Sequence, residues 1–378
     1  MSVSDKIISI YAPSYDPYSG YGRMACELIW HLSQRGWRVN ALGQDHVEWA
    51  DVQHVELRKL LNRPIKASMG GILLGYPTVY PAFGPLATQG PRVALTMFES
   101  TVLPEVWPPH LNRCDVVVVP AQFLVKVFRD NGVAKPVRVV PLGISENYNY
   151  VPRPKYPDVF TFLCLGDGGE RKGWKEAVLA FAMAFGKSDK HKLIIKARDF
   201  NFDPMMANVE VIRESYAEHE MQELFASVNA FVFPTHGEGF GLPPREAAAT
   251  GLPVIATNWG GTADDLTAWG YPLKYTMEDA WVGHPVLEGN GKWAKPDVEH
   301  LAKQMQWVAS KKQYFMWHQM RRDKQSENVA RRVRKLYSWA KYADGVEAAW
   351  MEAMKRHGGV AARRQKRRQR REAESASD

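Results

Sequence analysis

Apolar residues fall into short runs separated by longer stretches of helical spacing, from about residue 6 to residue 275. The short runs are rich in Val and Ile, as buried parallel strands are. Between them, apolar residues spaced three and four apart predict helices, several of which end at a glycine such as Gly36. The predicted strands are 6–12, 39–42, 72–74, 92–97, 115–119, 137–140, 159–165, 192–197, 209–212, 230–233 and 253–257, and the predicted helices are 21–35, 122–131, 174–185, 217–227 and 243–250.

This order of strand, turn, helix and strand predicts an α/β protein with two doubly wound, Rossmann-like domains. A polar stretch with three prolines, residues 144–158, predicts the linker, so we place the domains at 1–150 and 151–310. For residues 311–360 we predict helices that pack back on the first domain. Residues 361–378 form a tail that we expect to be disordered on its own, because it has little apolar surface to bury.

Charge is concentrated at the C-terminal end of the chain. The net charge is +8, and residues 311–371 alone carry 19 Lys and Arg against 5 Asp and Glu, interleaved with Trp and Tyr. DNA and an anionic membrane surface are therefore candidate partners. The first ten residues are too polar for a secretion signal, and no 18-residue run is apolar enough to span a membrane. We expect a cytoplasmic protein, soluble or peripheral; the sequence does not indicate its oligomeric state.

The stretch richest in candidate chemistry is the glycine turn between the strand at 230–233 and the helix that follows it. Glu238 lies in this turn and Glu246 lies in the first turn of the helix. Ligands of parallel sheets bind at this carboxyl edge, and free N–H groups at a helix start suit a diphosphate. Glu246 could accept hydrogen bonds from a ribose diol, and Glu238 could reach the hydroxyls of an attached sugar. Together these features predict a site for a nucleotide-diphosphate sugar.

The residues Glu238-Gly239-Phe240-Gly241-Leu242-Pro243, with Glu246 completing the pattern, resemble the signature of family-four retaining glycosyltransferases of the GT-B fold. Four other stretches agree and occur in the expected order: Ser19–Gly22, Pro141–Ile144, Arg171–Trp174 and Val254–Gly261. The resemblance implies two Rossmann-like domains that face a cleft, with the acceptor on the side of the first domain and the nucleotide sugar on the second. It also implies that C-terminal helices cross back to the first domain.

The resemblance further implies a role for each matching residue. Lys172 and Arg171 would neutralise the departing diphosphate, Glu246 would hold the ribose and Glu238 the transferred sugar. The backbone at Gly239, Phe240, Gly241 and Leu242, and the loop at Gly20 and Gly22, would approach the donor. The family is thought to need no protein nucleophile and no metal, so we expect no cofactor beyond the nucleotide-sugar co-substrate.

Two residues depart from the family pattern. Asp167 occupies a place where the family often has an arginine, and Glu99 occupies the place of a sugar-facing histidine. Glu99 is therefore a candidate site residue that leaves the sugar in doubt, although a purely structural carboxylate explains it equally well. His236, just before the glycine turn, is better explained as a packed histidine at a strand end.

Three functional hypotheses remain open at this point. The favoured one is transfer of a hexose or pentose to a polyanionic acceptor, such as a hydroxymethylated base in DNA of the kind phages carry. The alternative is a glycosyltransferase of cell-surface or lipid-linked glycans at an anionic membrane. A non-catalytic nucleic-acid-binding protein is the third hypothesis, and the paired carboxylates at a diphosphate turn argue against it.

Overall fold

The computed structural model describes residues 6–16, 19–43, 55–66, 68, 70–84, 89–153, 157–167, 169–198, 205–280, 291–310 and 319–375. Within these residues the chain forms two parallel six-stranded sheets, each covered by helices. The predicted fold class, with two Rossmann-like units in the GT-B arrangement, is confirmed.

The first sheet has the strand order β2-β1-β3-β4-β5-β6. Every neighbouring pair is parallel, and β5, which consists of four valines, is buried along its whole length. Its strands are β1 (Ile7–Ala12), β2 (Arg38–Gly43), β3 (Gly71–Leu74), β4 (Arg92–Leu95), β5 (Val116–Val119) and β6 (Val137–Val139). Its helices are α1 (Gly20–Gln34), α2 (Val55–Leu61), α3 (Trp107–Leu111) and α4 (Gln122–Asp130).

The second sheet has the strand order β12-β11-β10-β7-β8-β9, and its neighbouring strands are also parallel. Its strands are β7 (Phe160–Leu165), β8 (His191–Lys196), β9 (Val209–Ile212), β10 (Ala230–Phe233), β11 (Val254–Thr257) and β12 (Tyr271–Leu273). Its helices are α5 (Trp174–Phe185), α6 (Glu218–Ser227), α7 (Leu242–Ala249) and α8 (Val298–Ala309). β10 and β7 are central, so the turns after them open at the middle of the carboxyl edge.

An antiparallel ribbon of β13 (Tyr275–Asp279) and β14 (Lys292–Pro296) follows the second sheet, and the sequence patterns did not predict it. The ribbon reaches the first domain, where Lys292 N donates to Thr101 Oγ1 at 2.8 Å and Thr101 N donates to Lys292 O at 3.1 Å. It therefore bridges the two units close to Glu99.

Two C-terminal helices, α9 (Gln319–Leu336) and α10 (Trp339–Ser375), return the chain to the first domain. α9 packs on α7, and α10 packs on α1, β4 and β5. The buried residues of α10 recur at helical spacing, namely Trp339, Tyr342, Ala343, Val346, Ala349, Trp350 and Ala353. This crossing matches the predicted architecture.

The tail differs from the prediction. α10 continues to Ser375, so residues 361–375 are helical, where the composition led us to expect disorder. Ala, Arg, Gln, Lys and Glu dominate this segment, and all of them propagate an existing helix well. No helix in the described part of the chain is both long enough and apolar enough to cross a membrane.

Candidate active site

The glycine turn after β10 lies directly against the first domain. Gly241 is the residue before α7 and has a φ of 81°, which glycine adopts without strain. A Cβ on Gly237 would overlap the carbonyl oxygen of Glu99, and a Cβ on Gly239 would overlap the side chain of Met97. These two glycines therefore permit a close approach of the two units, which places Glu238 at their interface.

Arg245 holds this turn from behind and is completely buried. Its Nη1 donates to the carbonyls of Phe240 and Gly241, and its Nη2 donates to Gly261 O at 2.9 Å and to Asp264 O at 3.3 Å. The guanidinium carbon also lies 4.0 Å from the ring centre of Phe240, in cation–π geometry. Arg245 thus ties the turn, the first turn of α7 and the loop after β11 into one unit.

Lys172 and Arg171 come from the turn after β7 and meet Glu238. The Lys172 Nζ lies 2.6 Å from Glu238 Oε1, and the Arg171 Nη1 lies 3.1 Å from the same oxygen. Gly173, with a φ of 72°, lets this turn pass so close to Pro234 that a Cβ could not fit. The three predicted residues therefore form one cluster at the carboxyl edge of the sheet.

The charges of this cluster favour an anionic ligand. Burial opposes the ionisation of Glu238, but Lys172 and Arg171 outweigh it and hold the pKa of Glu238 below its usual value. Two basic side chains therefore share the Glu238 carboxylate, which leaves positive charge at the edge of the sheet when the neighbouring Glu99 is neutral.

Glu99 lies beside this cluster on the first-domain side. Burial raises the pKa of Glu99, with the charge of Glu238 adding to the effect and Arg171 opposing it. Tyr76 is nearby, and burial together with the charge of Glu99 raises its pKa to about 12. Glu99 therefore lies near enough to Arg171, Lys172 and Glu238 to interact with their charges, and its contact with the transferred sugar remains a prediction.

Glu246 lies on α7 just beyond its first turn, where the sequence predicted it within the first turn, and its side chain is 8% exposed. Its Oε1 accepts from the Arg23 Nη1 at 2.9 Å, and the Arg23 Nη2 reaches Glu218 Oε2 at 2.8 Å. Burial raises the pKa of Glu246, and Arg23 partly offsets this. Glu246, the residue that we predict to bind the ribose, is therefore paired with a first-domain arginine.

The first glycine loop lies at the N-terminus of α1. Ser19 Oγ accepts from Gly22 N at 3.0 Å, so the Gly22 N–H is used as a helix cap. A Cβ on Gly22 would overlap Asp16 O, whereas nothing lies within 4 Å of a Cβ built on Gly20. Gly22 is thus explained by packing, and Gly20 is the part of the loop with open space beside it.

Asp167 and His236 have partners outside the cluster. Asp167 accepts from Arg198, whose Nε lies 3.1 Å from Asp167 Oδ2. His236 lies between two carboxylates, with Glu176 at 3.2 Å and Glu278 at 3.0 Å. His236 therefore joins the second sheet to the ribbon, in line with the packed histidine that the sequence favoured.

Arg23 and Arg245 were missed by the sequence analysis, although both stand beside residues that it selected. Arg23 follows Gly22, and Arg245 precedes Glu246. For Arg245, the signal available in the sequence was a charged residue within the nearly apolar first turns of α7. Among the described residues, no group of three or more His, Cys, Asp or Glu side chains could hold a metal ion.

Replacing Glu238 by glutamine tests the charge of the cluster. Because the folded-state pKa lies below 4.5, ionised Glu238 contributes stability that is complete above that pH and is lost as the pH falls through the lower folded-state value. We expect Glu238→Gln to lower the thermal unfolding temperature near neutral pH, with the difference shrinking below pH 4.5. Unfolding curves recorded down to about pH 3 for both proteins check this.

Glu223→Gln, at an exposed glutamate of α6, controls for the loss of a carboxylate. A difference between wild type and Glu238→Gln that stays constant across the pH range would contradict the assigned charge state.

Comparison with known proteins shows a family similarity in the second unit. Residues 159–272 match the family of glycosyl transferases group 1. The matched segment runs from the start of β7 to β12 and contains the cluster of Lys172, Arg171 and Glu238 together with Glu246. The glycosyltransferase likeness therefore covers the unit that carries the predicted donor site.

Individual glycosyltransferases agree with this match. A protein of Sulfolobus islandicus filamentous virus, named provisionally as glycosyltransferase 45, is 20% identical over 239 residues, which cover 61% of this chain and 64% of its own. The capsular polysaccharide biosynthesis glycosyltransferase CapM of Staphylococcus aureus is 33% identical over 119 residues, or 29% of this chain and 30% of its own. The chain thus spans less than two thirds of these relatives.

A solved glycosyltransferase structure from Rickettsia africae shares the fold over most of the chain. It superposes with a TM-score of 0.67 at 15% identity, covering 93% of this chain and 99% of that one. At this identity the likeness establishes the fold, which includes both units and the helices that cross between them.

Proposed function

We propose that this protein is a retaining glycosyltransferase that moves a hexose or pentose from a nucleotide-diphosphate sugar to a hydroxyl of an acceptor. The observation that carries the proposal is the arrangement of Lys172 and Arg171 on Glu238 at the sheet edge, with Glu246 on the next helix. Developing charge on a leaving diphosphate is stabilised most by cations already fixed in place. The match to the group 1 family over this segment supports the same reaction.

In the proposed reaction the acceptor oxygen forms a bond to the anomeric carbon while the bond from that carbon to the diphosphate breaks. The acceptor attacks on the face that the diphosphate leaves, and its proton passes to a phosphate oxygen of the donor. Lys172 and Arg171 bind the diphosphate, Glu246 binds the ribose and Glu238 binds the sugar. The N–H groups at Phe240, Gly241 and Leu242 would add donors at the start of α7. No protein nucleophile and no metal is required.

For the acceptor we favour DNA that carries hydroxymethylated bases. The support is the basic C-terminal segment, in which residues 363–371 contain seven Lys and Arg among nine residues. Cations that contact phosphates make binding strongly salt-dependent. Tyr337, Trp339, Tyr342 and Trp350, the described aromatic residues of this segment, are buried, so the support comes from the basic residues and not from base stacking. A glycan or lipid-linked acceptor at an anionic membrane is the second candidate, favoured by the likeness to CapM.

Neutralising the basic residues of the tail distinguishes the DNA acceptor from the membrane acceptor. In a variant with all seven basic residues of 363–371 replaced by glutamine, we expect weaker DNA binding and a shallower dependence of log K on log salt. The slope should fall by about 0.9 for each lost phosphate contact. Affinity measured on duplex DNA at several salt concentrations, with sugar transfer to hydroxymethylated DNA, gives the readout.

The same variant is assayed with acidic vesicles and lipid-linked acceptors. Unchanged DNA binding and transfer in this variant would remove the support that the tail gives to a DNA acceptor. Transfer to lipid-linked acceptors but not to DNA by wild type, together with vesicle binding that is lost in the variant, would contradict the DNA acceptor and favour the membrane candidate. DNA binding with no transfer from any nucleotide sugar would favour a non-catalytic nucleic-acid-binding protein. The anomeric configuration of the product, read by NMR, tests retention.

A further inference from the structure

Arg23 joins the two units at Glu246, the residue that we propose binds the nucleotide ribose. It lies in the first turn of α1, and its guanidinium reaches Glu246 at 2.9 Å and Glu218 at 2.8 Å. Its side chain is 16% exposed, so the contacts are largely shielded from solvent. One first-domain arginine thus bridges two second-domain helices, α6 and α7.

Glu218 is itself held in place. Its Oε1 accepts from Ser145 Oγ at 2.5 Å and from Asn147 Nδ2 at 3.1 Å, both in the segment that leaves the first domain. The Arg23 guanidinium is therefore fixed through Nη2, which in turn fixes the direction in which Nη1 points. The geometry is a chain of contacts from Ser145 through Glu218 and Arg23 to Glu246.

These contacts use only one of the two oxygens of the Glu246 carboxylate. Oε1 accepts from Arg23, and in the part of the chain that the structure describes no other hydrogen bond reaches the carboxylate. A carboxylate has about four lone-pair sites, and a ribose diol needs acceptors for two hydroxyls. The second oxygen of Glu246 is thus left for a ligand in a fixed orientation.

We propose that Arg23 is a positioning residue for the nucleotide ribose: it holds one oxygen of Glu246 so that the other faces the ribose hydroxyls. The inference rests on the proposed function, in which Glu246 binds the ribose. Because Arg23 belongs to the first domain, Glu246 is held in this orientation only when the two units are in contact. Arg23 acts through Glu246 and does not touch the diphosphate.

The test compares ribose with a sugar that lacks its hydroxyls. Binding of UDP, GDP and ADP is measured by calorimetry beside their 2′,3′-dideoxy counterparts. Hydrogen bonds to a buried carboxylate predict that wild type prefers the ribose form of its nucleotide by about 10- to 100-fold. We expect Arg23→Gln to reduce this preference by about tenfold, while binding of inorganic pyrophosphate stays within about twofold.

Two further variants keep the test decisive if Arg23→Gln unfolds. Glu218→Gln loosens Arg23 without removing it, so the preference should fall by a smaller factor, and Arg23→Lys should restore part of it. Arg138→Gln, at an exposed pair with Glu352 on α10, is the control and should keep the full preference. If a variant weakens binding of the dideoxy nucleotide and of the ribose nucleotide equally, the role of Arg23 is merely structural and the inference is overturned.

The outcomes separate the two proposals. Wild type that binds no nucleoside diphosphate contradicts the proposed function and the inference with it. Wild type that prefers ribose, with Arg23→Gln and Glu218→Gln retaining the same preference, contradicts only the role of Arg23.

Discussion

Replacement of Lys172 by methionine is expected to lower kcat by about 10²- to 10³-fold, the usual cost of removing one fixed group that stabilises developing charge. The ammonium of Lys172 is 2.6 Å from Glu238, and in the proposed reaction it binds the departing diphosphate. Methionine keeps the length of the side chain and removes the charge. Because the cation matters most as the bond breaks, the effect should fall more on kcat than on donor affinity.

The measurement is steady-state release of nucleoside diphosphate from the active nucleotide sugar. Lys175→Met is the matched control, since Lys175 is three residues further along, exposed on α5 and paired with Glu170. It should keep wild-type kcat within about twofold. If Lys172→Met retains more than a third of wild-type kcat, Lys172 does not stabilise the leaving group.

Replacement of Arg245 by methionine is expected to lower the free energy of unfolding by about 2–4 kcal/mol. Arg245 is fully buried, and the change leaves the carbonyls of Phe240, Gly241 and Gly261 without their donor. Buried carbonyls without partners cost more than an ordinary hydrogen bond gains. Donor binding should also weaken, since the turn that holds Glu238 loses its support.

Urea unfolding, with donor binding measured on the folded fraction, checks both effects of Arg245→Met. Arg138→Met removes a partly exposed arginine at a surface ion pair and should cost about 1 kcal/mol or less. If Arg245→Met is as stable as wild type, the carbonyl contacts do not hold the turn.

Most of the fold could be predicted from the sequence because its strands are short, β-branched and fully buried. β9 and β10 begin and end as predicted, and α5 has the predicted bounds. The ribbon of β13 and β14 could not be predicted, because β13 has no fully buried residue and the longest buried run of β14 is the pair Trp293 and Ala294. Its position depends on contacts with Thr101 and His236, which are distant in sequence.

The candidate site was predictable only where its residues form local patterns. Glu238 and Glu246 lie in one strand–turn–helix unit, so their spacing alone places both at the sheet edge. Arg23 pairs with Glu246 across 223 residues and between two domains, and no local pattern contains that information. The contact exists because Gly237 and Gly239 let the units approach closely.

The helical tail shows the limit of composition. Residues 361–375 have almost nothing apolar to bury, yet α10 carries them as helix because the packed part of the same helix, including Trp350 and Ala353, supplies the costly first turns.

The central claim is that Glu246 and its neighbours form a site for a nucleotide-diphosphate sugar. Calorimetric titration of wild type and Glu246→Ala with UDP, GDP, ADP and their common sugar conjugates tests it most directly, with Glu223→Ala on α6 as control. We expect wild type and Glu223→Ala to bind one nucleotide series, and Glu246→Ala to bind it at least about tenfold more weakly. Equal binding by wild type and Glu246→Ala, or no binding by wild type, would contradict the claim.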